Sequence, residues 1–353
     1  MRCSAVSDGM KRHRISIPVV VLATVVLLGT SRPAGQDRPA PVIDYHQHLF
    51  SPAAAALVLG QPDAPGISAR TVVELLDAAG IERALVLSMA YTWGKASRTP
   101  VENEYEHVKT ENDWTAQQVA QYPNRLRAFC SLNPLKSYAL EELARCSKHP
   151  QLRHGLKLHF GNSDVDLDNP ENVAQVRKIF GAANGYRMPV VVHMHTSIDN
   201  RRKYGADQAR VFLNELLPAA ADVPVQIAHL AGSGGYPATT DSALGVFADA
   251  IAKRDPRMKN VWFDATVVVR SGMLPEDLER IAARIRQIGM ERVLYGSDAA
   301  ASPATYPQAG WTAFQQLPLT TAEFRVIANN VAPYMRDAAP RQPDRQVIAA
   351  GAR

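Results

Sequence analysis

Six of the ten histidines in this 353-residue chain stand at or beside short aliphatic runs: His46, His48, His159, His193, His195 and His229. Lys157 and Asp298 share that setting. In an extended strand, residues two apart point to one face, so His46 and His48 can aim both imidazoles at one ion. Imidazole binds zinc at about 2.0–2.1 Å, a carboxylate completes a hydrolytic site, and water takes the open position. Such an ion brings the pKa of water towards about 7 and polarises a carbonyl. A His/Asp set also suits other divalent metals, so Zn2+ is the first expectation, with Mn2+ and Fe2+ left open. Serine-nucleophile chemistry lacks its G-x-S-x-G elbow here.

These residues need elements that gather them at one end of a scaffold. After a polar, proline-bearing linker at Gly35–Pro41, apolar runs alternate with amphipathic stretches. Strands are expected over Val42–His46, Arg83–Ser88, Leu126–Leu132, Leu156–Phe160, Pro189–His195, Val225–Leu230, Val261–Ala265 and Arg292–Gly296. Helical patterns fill the intervals at Arg70–Ala79 (between Ser68 and Gly80), near Asn103–Gln121, and at Tyr138–Ser147, Glu171–Ala183, Asp207–Ala219, Ala243–Lys253, Pro275–Ile288 and Thr321–Asn330. Short apolar strands, each followed by a helix, spell an α/β chain folded as a single-domain (β/α)8 TIM barrel. A doubly wound open sheet is the competing architecture, but no Gly-rich phosphate loop follows the first strand. The ligand-capable residues also fall at the C-terminal strand ends, where barrels build active sites.

The same residues carry a family resemblance. Ile43-Asp44-Tyr45-His46-Gln47-His48 resembles the strand-1 H-x-H of the amidohydrolase superfamily. Val190-Val191-Val192-His193 is similar to its strand-5 histidine, and Ile227-Ala228-His229-Leu230 to its strand-6 histidine. Leu294-Tyr295-Gly296-Ser297-Asp298 resembles the strand-8 G-S-D of the amidohydrolase-related (amidohydrolase 2) branch. Asn329-Asn330 and the Tyr122-Pro123-x-Arg125 step fit that branch, and the likeness spans about residues 41–335. It implies a metal held by His46, His48, His193 and Asp298. Asp298 would ligate the ion or hold its water as general base and acid. His229 would orient the substrate carbonyl or bind a second metal. Lys157, in Gly155-Leu156-Lys157-Leu158-His159, matches the strand-4 lysine that is carboxylated and bridges two ions in binuclear members. G-x-K-L-H also occurs in one-metal relatives, where the lysine meets a substrate anion. One ion, or two with Lys157 and His229 at the second, are both open. A lysine inside a barrel is costly unless paired, so it is not idle. The implied activity is metal-dependent hydrolysis of an amide, lactone or ester bond in a small molecule by metal-activated water. The rival is a non-hydrolytic lyase, a decarboxylase or hydratase of aromatic or unsaturated acids, on the same metal site.

Around this centre, Lys157, His159 and His195 are candidates to meet the substrate. His195 shares a face with His193, so either could be the ligand, and His193 is preferred because it directly follows the apolar run. Hydrogen-bonding the ligands from behind or at the rim is the favoured reading of His159 and His195. Tyr91 and Trp93 follow the second strand and can line a pocket. Arg201, Arg202 and Lys203 can hold a substrate carboxylate, or form a solvated basic run. Gly232, Gly234 and Gly235 leave room for close approach after His229. Trp311 is a further pocket candidate, and Asp264, ending the seventh strand, a hydrogen-bond partner for a ligand histidine.

Composition sets the outer limits. Hydrophobic residues make up 46% and charged residues 21%, as in an ordinary globular protein. The net charge is +5, but residues 1–36 hold Arg2, Lys11, Arg12, Arg14 and Arg32 against Asp8 alone, which leaves the rest nearly neutral. The clustered basic face of a nucleic-acid binder is therefore not expected. The expected partner is a small-molecule substrate, and a homo-oligomer is left open. Lys11, Arg12 and Arg14 precede the apolar run Ile15–Leu28 and then small and turn residues, the pattern of an export signal over 1–36. The run is shorter than the about 20 residues that span a bilayer. A cleaved signal, no stable membrane insertion, and a periplasmic or secreted barrel over 37–337 follow as expectations, with an uncleaved signal anchor as the alternative because no clean A-x-A site stands out. The polar, proline-bearing residues 338–353 are expected to be a disordered tail. Cys130 falls in a strand and Cys146 in a helix. Export permits a disulfide, but nothing in the spacing requires one, and two separate buried thiols are expected.

Overall fold

The computed structural model describes residues 39–95, 99–196, 202–299 and 303–336. The expected signal, the expected tail beyond 338 and Arg201 lie outside them. Eight parallel strands stand in sequence order: β1 (Ile43–Gln47), β2 (Arg83–Leu87), β3 (Leu126–Ser131), β4 (Leu156–His159), β5 (Val190–His193), β6 (Val225–Ile227), β7 (Val261–Asp264) and β8 (Val293–Leu294). Tyr45 N–H donates to Tyr295 O and Asp298 N–H to His46 O, both at 2.8 Å, which brings the last strand back to the first. The result is the (β/α)8 barrel that the alternation predicts.

The helices are α1 (Pro52–Leu59), α2 (Ala69–Ala79), α3 (Glu104–Ala120), α4 (Ala139–Lys148), α5 (Pro170–Gly185), α6 (Ala206–Val211), α7 (Ala238–Ala252), α8 (Pro275–Ile288), α9 (Pro307–Phe314) and α10 (Thr321–Asn329). Ser68 caps α2 and Asn169 caps α5. Thr320 and Glu323 form a reciprocal capping box at α10. Among the described residues no helix is long and apolar enough to cross a membrane.

Outward strand residues such as Val190, Val192, Val225 and Ile227 pack with Ile179, Leu244 and Phe247 of the helices in one large core. Inward residues Ile43, Tyr45, Leu85, Leu87, Phe129, Val191 and Leu294 form a second cluster with Tyr334 and Met335. The segment after α10 thus plugs the N-terminal end of the barrel. Asn330 Nδ2 donates to Met290 O at 2.7 Å and Val293 O at 2.6 Å, and Ala332 N–H donates to Tyr45 Oη at 2.8 Å.

Several expectations need correction. Cys130 and Cys146 are not separate thiols but a disulfide, because α4 packs back on β3 and sets their Cα atoms 6.2 Å apart. β5 ends at His193, not His195, and β6 at Ile227, not Leu230. His229, Leu230 and Ala231 turn left-handed, with φ of 54°, 49° and 66°, which no strand can continue. β8 shrinks to Val293–Leu294. Asp207–Ala219 is not one helix: α6 runs into a π turn at Phe212–Leu216 and a 3-10 turn at Leu217–Ala220, where Pro218 lacks the amide an α-helix needs. Helices α1 and α9 were not expected. Each has eight residues, and the uniformly apolar Pro52–Leu59 shows no amphipathic period.

Candidate metal centre

β1 brings His46 and His48 to the C-terminal mouth of the barrel. Its pairing with β2 shifts register between Asp44 and Gln47. The interruption lets Tyr45 join the inner plug while the next residue, His46, also faces the axis. One nitrogen each of His46 and His48 and one carboxylate oxygen of Asp298 all lie within 4.8 Å of one another. Asp298 Oδ1 stands 3.5 Å from His48 Nε2, and its side chain keeps 33% exposure, so the carboxylate opens to solvent while the imidazoles do not. Asp298 itself has φ of 57°, and like His229, Leu230, Ala231 and Val267 it is a left-handed non-glycine residue in the loops that follow β6, β7 and β8. Such strain gathers where function over-determines the backbone.

Each imidazole is tied from outside. His46 Nδ1 donates to Asp264 Oδ2 at 3.2 Å, His48 Nδ1 to Leu87 O at 2.7 Å, and His229 Nδ1 to Thr266 O at 2.9 Å. That leaves three Nε2 lone pairs pointing inward, the arrangement that fixes metal-binding tautomers. His193 lies beyond the tight group. Its ring is 4.8 Å from His229 and stacks on His159 at 3.9 Å. Its buried Nε2 has no hydrogen-bond partner among the described residues. Lys157 Nζ reaches His46 Nε2 at 3.3 Å and places positive charge beside this lone pair. An orphaned imidazole nitrogen, inward lone pairs and an adjacent carboxylate fit a divalent cation.

Burial, then the Lys157 charge, pushes His46 and His48 down to about 3. Burial and the neighbouring His159 hold His193 well below its ordinary value. All are therefore neutral, the form that ligates. Burial lowers Lys157 to about 8, against the pull of Asp264 and Asp298. Burial alone would raise Asp264, but its interaction with the His46 ring and its hydrogen bonds prevail and hold it below the usual carboxylate range. Its oxygens accept from Gln226 Nε2 at 2.6 Å and from the backbone of His229 at 2.9 Å and Thr266 at 3.3 Å. Asp44 ties the two motifs together: Oδ1 accepts from His46 N and Ser297 N, both at 3.1 Å, and Oδ2 from Gln47 Nε2 at 2.7 Å.

The family profile described as amidohydrolase matches residues 43–332, from the first strand to the plug. The chain belongs to the amidohydrolase family. No curated protein matches its sequence directly. Solved structures similar to this amidohydrolase include 5-carboxyvanillate decarboxylase from Sphingomonas paucimobilis, with 14% identity, TM-score 0.57, and 82% of this chain and 97% of that chain covered. A probable 2-pyrone-4,6-dicarboxylic acid hydrolase from Acinetobacter baumannii, with citric acid bound, gives 17% identity and TM-score 0.52 over 81% of this chain and 96% of that one. An amidohydrolase from Burkholderia multivorans with bound zinc gives 13% identity and TM-score 0.53 over 82% and 96%. At these identities the likenesses show the barrel alone.

The remaining candidates of this amidohydrolase divide. Tyr91 is buried and faces the His159 ring at 5.1 Å. Trp93 is buried and stacked on His107 at 4.3 Å. His195 lies against the Tyr204 ring at 4.0 Å. Arg202 pairs with Asp164 at 2.6 Å, so the basic run is partly neutralised. Trp311 packs between Tyr295 and Phe314 in the core. A cleft of about 770 Å³ beside Arg83, Arg125 and Met335 lies at the opposite end and is lined by none of His46, His48, His193 and Asp298. Sequence reasoning missed the supports Asp44, Gln47, Gln226 and Tyr334. A glutamine in the middle of Val225-Gln226-Ile227 was the one available signal.

Proposed function

We propose that this amidohydrolase is a metal-dependent hydrolase of an ester, lactone or amide bond in a small organic acid, with zinc as its ion. The grouping of His46, His48 and Asp298 at the barrel mouth carries the reading. A divalent cation there would acidify water and polarise the reacting carbonyl. The residues do the rest. Asp298, half-open to solvent, takes the proton from water and returns it to the leaving group. His229, fixed by Thr266 O, presents Nε2 beside the His46 and His193 rings and orients the carbonyl. Lys157 donates towards the same point from below. His159 and Tyr91 form the adjoining wall.

Decarboxylation of an aromatic acid is the second reading, favoured by the likeness to 5-carboxyvanillate decarboxylase. On that reading Asp298 delivers its proton to the ring carbon that loses carbon dioxide. The test is a zinc-loaded assay that follows acid release from aryl esters and lactones and, separately, carbon dioxide release from 2,6-dihydroxybenzoate. Hydrolysis alone supports the first reading, and carbon dioxide alone replaces it with the second. Neither, in protein that holds metal, contradicts both.

Export is part of the proposal. The Lys11–Leu28 pattern supports it, and the Cys130–Cys146 disulfide suits an oxidising compartment. A reporter that works only after export, fused behind residues 1–36, should become active; an inactive reporter contradicts export.

A further inference from the structure

Two glycines after β6 lie against an arginine from the loop after β7. Gly234 and Gly235 have φ of +86° and +69°, a region that disfavours other residues. A Cβ on Gly234 would come within 2.6 Å of Arg270 Nη2, and one on Gly235 within 3.7 Å of Arg270 Cζ. The space over these glycines, which the sequence leaves free for a substrate, is thus taken by a guanidinium. The two loops are joined to each other and to the metal centre. Gly235 N–H donates to Val267 O at 2.8 Å, and the preceding residue, Thr266, accepts the His229 Nδ1 bond at 2.9 Å. Arg270 therefore belongs to the loop after β7, which begins beyond Asp264, and lies against the loop after β6 that carries His229.

Its charge is unanswered. Arg145, Arg202 and Arg284 each pair with a carboxylate. Among the described residues the exposed Arg270 side chain makes no ion pair and no hydrogen bond. The residues around it, Ser233, Thr266, Val267, Val268 and Val269, are uncharged. A guanidinium is a planar fork that matches a carboxylate with two parallel hydrogen bonds. It lies against the backbone of Gly234 and Gly235.

We propose that Arg270 is the anion-recognition residue of the mouth, binding a substrate carboxylate remote from the reacting group. The substrate class is then a small acid with one carboxylate for Arg270 and a reactive carbonyl or carboxyl group for the metal centre. This inference rests on the function proposed above.

The test is calorimetric binding of benzoate and isophthalate to the zinc-loaded full chain. One carboxylate of isophthalate is for the centre and the second is for Arg270. Wild type should prefer isophthalate by about tenfold, the value of a charge-assisted pair. Arg270→Met should lose that preference and keep both benzoate affinity and zinc content. Arg270→Lys should keep part of it. Gly234→Ala should reduce it with the arginine still present, because the added methyl displaces the guanidinium. An isophthalate-to-benzoate ratio equal in wild type and Arg270→Met overturns the inference, as does a wild type with no preference. Protein that takes up no zinc contradicts the metal reading instead. The ratio between wild type and Arg270→Met remains measurable in that protein and still decides the role of Arg270.

Discussion

The Asp264 carboxylate gathers donors from His46, Gln226, His229 and Thr266. Removing it frees the His46 ring to choose its other tautomer and rotate. Asp264→Ala is therefore expected to weaken zinc binding by about 10–100-fold, measured by competition with a chelator; unchanged affinity contradicts the role. The histidines also set an acid limit. Folded His46 and His48 titrate near 3 against an ordinary 6.5, chiefly through burial. The unfolded chain takes up protons that the folded chain refuses, so their stabilisation is complete above 6.5 and is lost as pH falls towards 3. Asp44, raised by burial to about 6 from 3.8, runs the other way: its contribution is full below 3.8 and lost as pH rises through 6. Two histidines outweigh one carboxylate, so the metal-free protein should lose stability between pH 6.5 and 4.5. In His46→Gln/His48→Gln the loss should be shallower, read from urea midpoints. Equal slopes would show that other groups set the limit. At this scale the grouping of His46, His48 and Asp298 was legible because metal chemistry demands histidine and aspartate at strand ends. Asp44 and Gln226 were not, because a buried polar side chain is explained only by partners that the sequence places far away.

At the scale of elements, α4 is joined to β3 by Cys130–Cys146 and by the buried Asn112, which donates to Ser131 O at 2.9 Å and Glu142 Oε1 at 2.7 Å. Ser131 Oγ in turn accepts from Tyr91 N at 3.1 Å, so the staple supports the wall beside His159. Cys130→Ser/Cys146→Ser should cost about 2–4 kcal/mol and lower Tm by about 5–10 °C under oxidising conditions. A Tm equal to that of the wild type would show that the hydrogen bonds hold α4 unaided. The sequence located both elements but not the bond, since spacing says nothing about which face of α4 returns to the barrel. Strand ends were the weakest reading. Val225–Leu230 looks continuous, yet the chain turns left-handed at His229 to aim its ring inward. That conformation is imposed by the Asp264 and Thr266 contacts and leaves no trace in residue type.

For the whole molecule, the plug and the centre are one hydrogen-bonded chain. Tyr334 Oη donates to Gln226 Oε1, Gln226 Nε2 to Asp264 Oδ2, and His46 Nδ1 to the same oxygen. Tyr334→Phe, at the far end of the barrel, should cost about 1–3 kcal/mol of stability by orphaning a buried amide oxygen. It should also weaken zinc binding several-fold. Lost stability with intact zinc affinity would mean that the chain does not transmit to the ligand. The barrel was legible because eight strand–helix alternations are a property of the whole sequence, and errors at single boundaries do not disturb them. The decisive measurement is metal content by elemental analysis after zinc reconstitution, on wild type and on His46→Ala/His48→Ala. Bound zinc in wild type, one equivalent or two, and none in the variant is the expected result. Wild type without bound metal, or a variant that keeps it, would contradict the metal centre described here.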